Sequence, residues 1–296
     1  MTAGSSASAS GWEHIEVPVG ELVFDGLAAG PPEGELVLLL HGFPQSSWEW
    51  RSQLSVLGGA GYRAVAPDQR GYSPRARPEG VEHYGADRLT ADVLGIADWL
   101  GGHRFHVVGH DWGALVAWQL AGRWPERLRT VTAVSIAHPM AMVEALASPS
   151  GDQLARSAYV SFFQRPDLPE RLLLAGEGSG LRELFANTGY HDRDAMERYV
   201  ALLSEPGALT AALNWYRALD LSTAAGLQPV VVPTLFVWST GDPAIGREAA
   251  DATAGHVAPD AYRFEVLEDV GHWVPEEAAD DLNRLLLEHL QVAVSQ

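Results

Sequence analysis

The sequence motif around Asp111 is the most informative about the chemistry of this chain. It stands at the centre of Gly109-His110-Asp111-Trp112-Gly113, after the apolar Val107-Val108 and before an apolar helical pattern. A strand that passes through Gly-x-Asp-x-Gly into a helix has the form of a nucleophile elbow, with aspartate in place of serine. The glycines allow the sharp turn and the close packing of strand and helix. An aspartate at this place is either a carboxylate nucleophile or an ordinary N-cap of the helix.

Asp242 and His272 complete a catalytic set with Asp111. Asp242 follows the apolar run 234–238, and His272 follows the run 262–267. Each alone has another explanation, because aspartate is common in turns and a single histidine often caps or packs. The chain order nucleophile, acid, histidine, with each residue at the end of a predicted strand, favours a triad. In that triad Asp242 orients His272, which takes a proton from water.

A carboxylate nucleophile suits a different substrate from a serine. Serine attack on a saturated carbon would form an ether, which the enzyme could not then hydrolyse. Aspartate forms an ester, whose carbonyl carbon water can attack. Asp111 therefore predicts displacement at saturated carbon and argues against an ordinary esterase.

The elements that position these residues alternate between strand and helix. Continuous apolar runs predict strands covered by helices on both faces, at 36–40, 62–67, 105–108, 128–137, 234–238 and 262–267. Helical patterns lie between them at 48–57, 88–100, 114–124 and 247–254, with a last helix beginning at Pro275. Segments 14–17 and 22–28 are typical of an antiparallel hairpin. The pattern predicts an α/β fold with a mostly parallel central sheet flanked by helices.

The alternation is interrupted between residues 139 and 228. This stretch has no convincing strand but several short helical patterns, such as 194–203 and 208–218. We therefore expect a core formed by residues 12–138 and 229–296, and a mostly helical cap, residues 139–228, inserted after a core strand. Residues 1–11 are small and polar and are expected to be disordered.

Composition excludes several classes of function. Among 296 residues, 38 are acidic and 20 are basic, giving a net charge of −18, so neither nucleic acid nor an anionic membrane is an expected partner. All 20 basic residues are arginine, which excludes Schiff-base chemistry and a P-loop. The absence of cysteine excludes disulfides and thiol nucleophiles. No secretory signal or membrane span is evident, so a cytoplasmic location is expected.

Several motifs resemble the α/β-hydrolase superfamily, and specifically its epoxide hydrolases. His41-Gly42-Phe43-Pro44 is similar to the family's oxyanion-hole loop, residues 109–113 to its nucleophile elbow, and residues 68–73 to its Asp-x-x-Gly-x-Ser loop. In the insertion, residues 159–164 resemble the Tyr-x-x-x-Phe-Gln stretch of epoxide hydrolase caps. Residues 214–217 resemble their Asn-Trp-Tyr-Arg stretch. The likeness extends from about Trp12 to the end of the chain and implies the α/β-hydrolase fold.

The resemblance also implies roles for individual residues. Tyr159 and Tyr216 would hold the epoxide oxygen, and Tyr190 and Tyr199 would only pack. The backbone N–H groups of Phe43 and Trp112 would form the oxyanion hole. Residues expected to line the substrate pocket are His41, Pro44, Phe163, Trp215 and Trp273. The implied reaction converts an apolar epoxide and water to a vicinal diol, with no cofactor and no metal, in a monomer or homodimer.

Two other functions fit the same sequence. A haloalkane or haloacid dehalogenase would use Asp111, Asp242 and His272 unchanged, but it would release halide and would have no use for the cap tyrosines. A ligand receptor on a hydrolase scaffold would bind without turnover, although a complete triad argues against it.

Overall fold

The apolar runs of the sequence form a single mixed sheet. The structure, a computed structural model, describes residues 11–291. Its strands in chain order are β1 (Trp12–Val19), β2 (Leu22–Ala29), β3 (Leu36–Leu40), β4 (Arg63–Pro67), β5 (Phe105–His110), β6 (Leu128–Val134), β7 (Thr234–Ser239) and β8 (Tyr262–Leu267). They are ordered β1-β2-β4-β3-β5-β6-β7-β8 across the sheet. The hairpin β1–β2 and the β2–β4 pair are antiparallel, and all later pairs are parallel.

Helices cover both faces of this sheet, as the unbroken apolar runs predict. The helices outside the insertion are α1 (Arg51–Gly59), α2 (Ala86–Trp99), α3 (Trp112–Arg123), α11 (Arg247–Ala252), α12 (Val274–Glu277) and α13 (Ala279–Leu290). Strand β3 illustrates the double burial. Leu38 and Leu40 pack into the core on one face, whereas Val37 and Leu39 pack into a second core on the other. The predicted α/β class is therefore confirmed.

The segment between β6 and β7 is mostly helical. Its helices are α4 (Pro139–Ala147), α5 (Gln153–Arg156), α6 (Ala158–Phe163), α7 (Leu168–Leu173), α8 (Ala175–Asn187), α9 (Arg193–Leu203) and α10 (Ala208–Arg217). The start of α8 is interrupted at residues 176–178, where the backbone has positive φ. The patterns at 194–203 and 208–218 thus mark real helices, α9 and α10, to within one residue at each end.

Most element boundaries differ from the sequence prediction by one to three residues, and two of these differences are informative. The strand expected over 128–137 stops at Val134, because Ser135 takes a left-handed conformation with φ of 69°. The last helical segment begins at Val274 rather than Pro275, and it breaks at Ala278 before α13. The disorder expected for residues 1–11 falls, apart from Gly11, outside the described residues. Within residues 11–291, no helix is both long and apolar enough to cross a membrane.

The topology brings three strand ends together. Strands β5, β7 and β8 are parallel and lie within four neighbouring positions of the sheet. Asp111 follows β5, Asp242 follows β7, and His272 follows β8. All three residues therefore meet at the carboxyl edge, where open α/β sheets bind their ligands.

Candidate active site

Asp111 occupies a strained turn between β5 and α3. Its φ of 49° and ψ of −120° lie outside the conformations common for a non-glycine residue. The flanking glycines permit that turn. A Cβ on Gly109 would lie 2.1 Å from the carbonyl oxygen of Gly113, and a Cβ on Gly113 would lie 1.9 Å from that of Leu40. The Asp111 side chain makes no capping hydrogen bond to α3, which argues against the helix-cap interpretation.

The oxyanion loop holds one oxygen of Asp111. The backbone N–H of Phe43 donates to Asp111 Oδ1 at 2.8 Å. A Cβ on Gly42 would lie 2.4 Å from the Asp111 Cβ, so only glycine lets the loop approach this closely. Trp112 is the first residue of α3, so its backbone N–H has no acceptor within the helix. The Phe43 N–H thus binds the Asp111 carboxylate directly, and the Trp112 N–H is available as the second donor expected in the oxyanion hole.

The acid and the histidine form a direct pair beside the nucleophile. His272 Nδ1 donates to Asp242 Oδ2 at 2.8 Å, and His272 Nε2 lies 3.6 Å from Asp111 Oδ2. The other oxygen of Asp242 accepts from the backbone N–H groups of Ala244 at 2.7 Å and Ile245 at 3.2 Å. These contacts fix the orientation of the Asp242 carboxylate, which in turn fixes the imidazole ring.

The opposite charges of Asp111 and His272 set the protonation state of both groups. Burial alone would raise the pKa of the Asp111 carboxyl, but His272, with help from the Phe43 N–H, lowers it below its usual value. Burial alone would lower the pKa of His272, but the carboxylates of Asp242 and Asp111 raise it well above its usual value. Asp111 is therefore an ionised carboxylate at neutral pH, as a nucleophile must be.

Two tyrosines from the insertion face Asp111 across the cleft. Tyr159 lies on α6 and Tyr216 on α10, and their ring centroids are 6.3 Å apart. The Tyr216 ring meets the Trp112 ring edge to face at 4.8 Å. Burial, together with the nearby charge of Asp111, raises the pKa of both hydroxyls, although 37 % of the Tyr159 residue surface is exposed. Both hydroxyls thus keep their protons and are available as hydrogen-bond donors.

The cleft has two lobes that meet at the nucleophile. The larger, about 320 Å³, is walled by apolar side chains such as Leu115, Ile136 and Met142. The smaller, about 250 Å³, is walled by residues that include Phe43, Phe163, Leu184 and Trp273. The residues that line both lobes are Asp111, Tyr159, Tyr216 and Ala244. A bound molecule at this junction would contact the nucleophile and both tyrosines together.

Of the five residues expected to line the substrate pocket, the structure places two at the cleft. Phe163 and Trp273 line the smaller lobe, whereas His41, Pro44 and Trp215 line neither lobe. His41 instead lies behind the oxyanion loop, where its Nε2 accepts from the Gln69 N–H at 3.0 Å. Burial lowers the pKa of His41 to about 4, so the ring stays neutral. Proximity along the chain to the oxyanion motif did not distinguish residues that face the cleft from residues that support it.

The other two residues that line neither lobe, Trp215 and Pro44, lie against other parts of the core. Trp215 faces away from the cleft lobes, and its indole N–H donates to the backbone oxygen of Arg70 at 2.9 Å. Pro44 is buried within the oxyanion loop and follows Phe43 through a cis peptide bond. The packing role expected of Tyr190 and Tyr199 agrees with their contacts, because both hydroxyls donate to Glu276 rather than facing Asp111.

A buried carboxyl that sequence reasoning missed lies behind His272. Glu49 is fully buried, and its Oε2 lies 3.4 Å from His110 Nδ1. The other ring nitrogen of His110 lies 2.9 Å from the backbone oxygen of His272, so it must carry the proton and donate it. Burial, then the charges of Glu276 and Asp111, raise the pKa of Glu49 well above its usual value. The neutral Glu49 carboxyl and the His110 Nδ1 acceptor therefore match as donor and acceptor.

A signal for Glu49 was present in the sequence. It stands between Trp48 and Trp50, two large apolar residues that predict a buried segment, where an acidic residue is unusual. Across residues 11–291, the structure gathers no group of three or more histidine, aspartate or glutamate side chains suited to a metal ion.

Comparisons with known proteins agree with this geometry. The sequence model of the alpha/beta hydrolase fold family matches residues 35–279. The AB hydrolase superfamily protein YfhM of Bacillus subtilis is 38 % identical over 273 residues, covering 89 % of this chain and 93 % of that protein. Epoxide hydrolase A of Mycobacterium tuberculosis is 33 % identical over 301 residues, covering 88 % and 92 %.

A solved structure extends the likeness to three dimensions. The crystal structure of Bacillus megaterium epoxide hydrolase in complex with an inhibitor superposes with a TM-score of 0.84 at 27 % identity. The alignment covers 94 % of this chain and all of that one. The likeness therefore includes the inserted helices as well as the sheet.

Proposed function

The chain belongs to the α/β-hydrolase family, among its epoxide hydrolases, and we propose that it opens an apolar epoxide through a covalent ester on Asp111. It is a hydrolase that acts on the ether bond of epoxides. The observation that supports the covalent mechanism best is the junction of the two lobes. There an ionised aspartate on a nucleophile elbow faces two protonated tyrosines.

In the first step Asp111 Oδ2 attacks a ring carbon. A carbon–oxygen bond forms to the carboxylate while the carbon–oxygen bond of the epoxide breaks. Tyr159 and Tyr216 donate hydrogen bonds to the departing oxygen, and one of them supplies its proton. Such acid assistance typically contributes about 10²–10⁴-fold to a rate. Oδ1 stays at the Phe43 N–H and becomes the carbonyl oxygen of the ester.

In the second step water attacks the ester carbonyl carbon. His272 Nε2 takes a proton from water, and Asp242 stabilises the imidazolium through Nδ1. The oxyanion that forms on Oδ1 is stabilised by the N–H groups of Phe43 and Trp112, and one such donor is typically worth about 3–4 kcal/mol. The intermediate collapses, and the leaving alkoxide takes the proton from His272 to complete the vicinal diol. The Asp111 carboxyl then gives the second proton of the water to the tyrosinate formed in the first step, which restores the Asp111 carboxylate and the tyrosine. The sum is one epoxide and one water consumed for each diol formed.

A single turnover in ¹⁸O-water tests this order of steps. With enzyme in excess over epoxide, we expect ¹⁸O in the peptide that contains Asp111 and none in the first diol released. This follows because the diol takes its new oxygen from the carboxylate, and water replaces that oxygen. Label in the diol with none in the protein would refute a covalent intermediate.

The dehalogenase alternative makes a different prediction for the same cleft. A halide leaving group needs N–H donors, whereas here the Trp112 ring packs edge to face on the Tyr216 ring at 4.8 Å, and two tyrosines line the junction of the lobes. We therefore expect diol from aryl and alkyl epoxides and no halide from matched chloroalkanes. Chloride release without diol would favour the dehalogenase, and binding without any product would favour a receptor.

We also propose the division into a core, residues 12–138 and 229–296, and a cap, residues 139–228. The run of helices α4–α10 between β6 and β7, with no strand of the sheet among them, supports this division. The lobe walls support an apolar substrate, with water as the second reactant. The cytoplasmic location and the choice between monomer and homodimer stay predictions.

A further inference from the structure

Helix α5 of the insertion binds the backbone of the loop that carries Asp242, residues 242–246, here termed the acid loop. Gln153 Nε2 donates to the carbonyl oxygen of Ala244 at 2.8 Å, and Gln153 Oε1 accepts from the Gly246 N–H at 2.9 Å. Arg156 Nη1 donates to the carbonyl oxygen of Asp242 at 2.8 Å. Gln153 is only 1 % exposed, so water does not replace these bonds when they are lost.

The acid loop transmits its own position to the catalytic carboxylate. Asp242 Oδ1 accepts from the N–H groups of Ala244 and Ile245, which belong to the same loop. A shift of this backbone therefore moves the carboxylate that orients His272. Gln153 and Arg156 bind backbone groups of the loop that these internal hydrogen bonds leave free.

The acid loop lies close to the residue that precedes α5, so a side chain at Gly246 would displace the Asp152 carboxylate. A Cβ on Gly246 would lie 2.6 Å from Asp152 Oδ1. The other oxygen of Asp152 accepts from Arg156 Nε at 2.7 Å, which holds the guanidinium toward the loop. Gln153 Nε2 also donates to Ser157 Oγ at 2.9 Å, just before the helix that carries Tyr159.

We propose that Gln153 and Arg156 are positioning residues that hold the catalytic acid Asp242 from the cap. The cap would then serve the second half of the reaction as well as the first, because the acid loop acts through His272 in ester hydrolysis. This inference rests on the two-step mechanism proposed above. It predicts that loosening α5 from the acid loop slows ester hydrolysis more than ring opening.

The test is a set of single-turnover measurements on Gln153→Leu, Arg156→Met and Arg156→Lys with styrene oxide. The rate of ester formation and the rate of ester decay are followed by intact mass, and each is normalised to the titrated active sites. Arg182→Met is the matched control, because Arg182 pairs with Glu197 entirely within the cap. Titration separates a change in rate from a change in the fraction of folded protein.

We expect Gln153→Leu and Arg156→Met to slow ester decay by about tenfold or more, which is the rate equivalent of one lost hydrogen bond. Both variants should slow ester formation by less than about threefold. Arg156→Lys, which keeps a donor for the Asp242 carbonyl, should recover most of the decay rate, and Arg182→Met should match the wild type. Ester decay within about twofold of wild type in Gln153→Leu would overturn the proposal. So would equal slowing of both steps.

A further variant separates the positioning role of Gln153 and Arg156 from the two-step mechanism. His272→Gln is measured in parallel and should trap the ester whatever α5 does. If His272→Gln forms no ester, the two-step mechanism fails. If it forms ester while Gln153→Leu behaves as wild type, only the positioning role fails.

Discussion

The backbone N–H of Phe43 donates to Oδ1 of Asp111 at 2.8 Å, so a donor of the proposed oxyanion hole already binds the carboxylate of the proposed nucleophile. The second oxygen, Oδ2, is the one nearer to His272 Nε2, at 3.6 Å. The two oxygens are thereby distinguished before substrate arrives. Oδ1 need not move to become the ester carbonyl, and such preorganisation is where much of an enzyme's electrostatic stabilisation originates.

Replacement of the nucleophile is expected to stop the reaction. Asp111→Asn keeps the size of the side chain but removes its charge and leaves a poor nucleophile. We expect diol formation to fall by about 10⁴-fold or more, as for nucleophiles of other covalent hydrolases. The measurement is diol release by chromatography, with thermal unfolding as the check on folding. A freshly purified variant of wild-type activity would show that Asp111 is not the nucleophile.

Removal of the base should separate the two steps. In His272→Gln, Asp111 and both tyrosines remain, so ring opening continues while water activation is lost. We expect a protein adduct heavier by the mass of one substrate molecule, seen by intact-mass analysis within one turnover. Asp111→Asn is the control, since it should form no adduct. Persistence of unreacted epoxide with unmodified His272→Gln protein would contradict the assigned order.

Much of this site was predictable because each motif encodes a backbone requirement. A Cβ at Gly109 or Gly113 would collide with backbone atoms, so the elbow requires glycine at both positions. The strand-to-helix pattern around Asp111 shows in the sequence where that elbow lies. Asp242 and His272 follow apolar runs that became parallel neighbouring strands. Sequence periodicity and topology rules together therefore predict that Asp111, Asp242 and His272 meet.

Side-chain direction and long-range pairing were not predictable in the same way. His41 and Trp215 belong to motifs near the cleft, yet their side chains face buried backbone groups of Gln69 and Arg70. The α5 contact to the acid loop joins Gln153 and Gly246 across 93 positions, and nothing local in either segment indicates it. Such contacts depend on how the cap docks, which is set by packing of the whole insertion.

The cap tyrosines should act on ring opening. Tyr159→Phe and Tyr216→Phe each remove one hydroxyl that we propose donates to the departing oxygen. We expect each to slow ester formation by about 10²–10⁴-fold and ester hydrolysis much less. Pre-steady-state kinetics resolves the two steps. Tyr199→Phe is a matched control, because its hydroxyl donates to Glu276 outside the cleft and should leave both rates nearly unchanged. Equal slowing of both steps by either cleft variant would count against an acid role.

Esterification should lower the pKa of His272. In the free enzyme burial opposes the charged imidazole, but Asp242 and Asp111 outweigh burial and raise its pKa well above 6.5. The ester on Asp111 has no charge, so one of these two carboxylates stops favouring imidazolium. Three other titratable groups also interact with the His272 ring, and esterification does not modify them. They are His110, Glu49 and Glu277. The histidine therefore releases its proton more readily when it must act as a base.

This shift is measurable as a difference between two midpoints. The rate of ester hydrolysis should rise with pH to a plateau, with a midpoint below the His272 pKa measured by NMR in the free enzyme. Asp111→Asn, which lacks the same charge, should show a similarly lowered NMR pKa, and the His272→Gln spectrum assigns the signal. Identical midpoints in all three measurements would show that Asp111 does not control the protonation of His272.

Glu49 should make the folded protein less stable as pH rises. Burial first, then Glu276 and Asp111, raise the Glu49 pKa above its usual 4.5, so the folded state binds more protons than the unfolded state above that pH. The free energy of unfolding then falls with pH, at a slope of at most about 1.4 kcal/mol per unit from this group.

Glu49→Gln keeps an N–H donor for His110 Nδ1 and cannot ionise. We expect its stability relative to wild type to increase between pH 5 and 8, measured by urea unfolding, while its activity is retained. In Glu197→Gln, which removes an exposed carboxyl whose pKa is lowered by Arg182, no such increase is expected. A Glu49→Gln curve parallel to wild type would show that the Glu49 carboxyl has no raised pKa in the folded state.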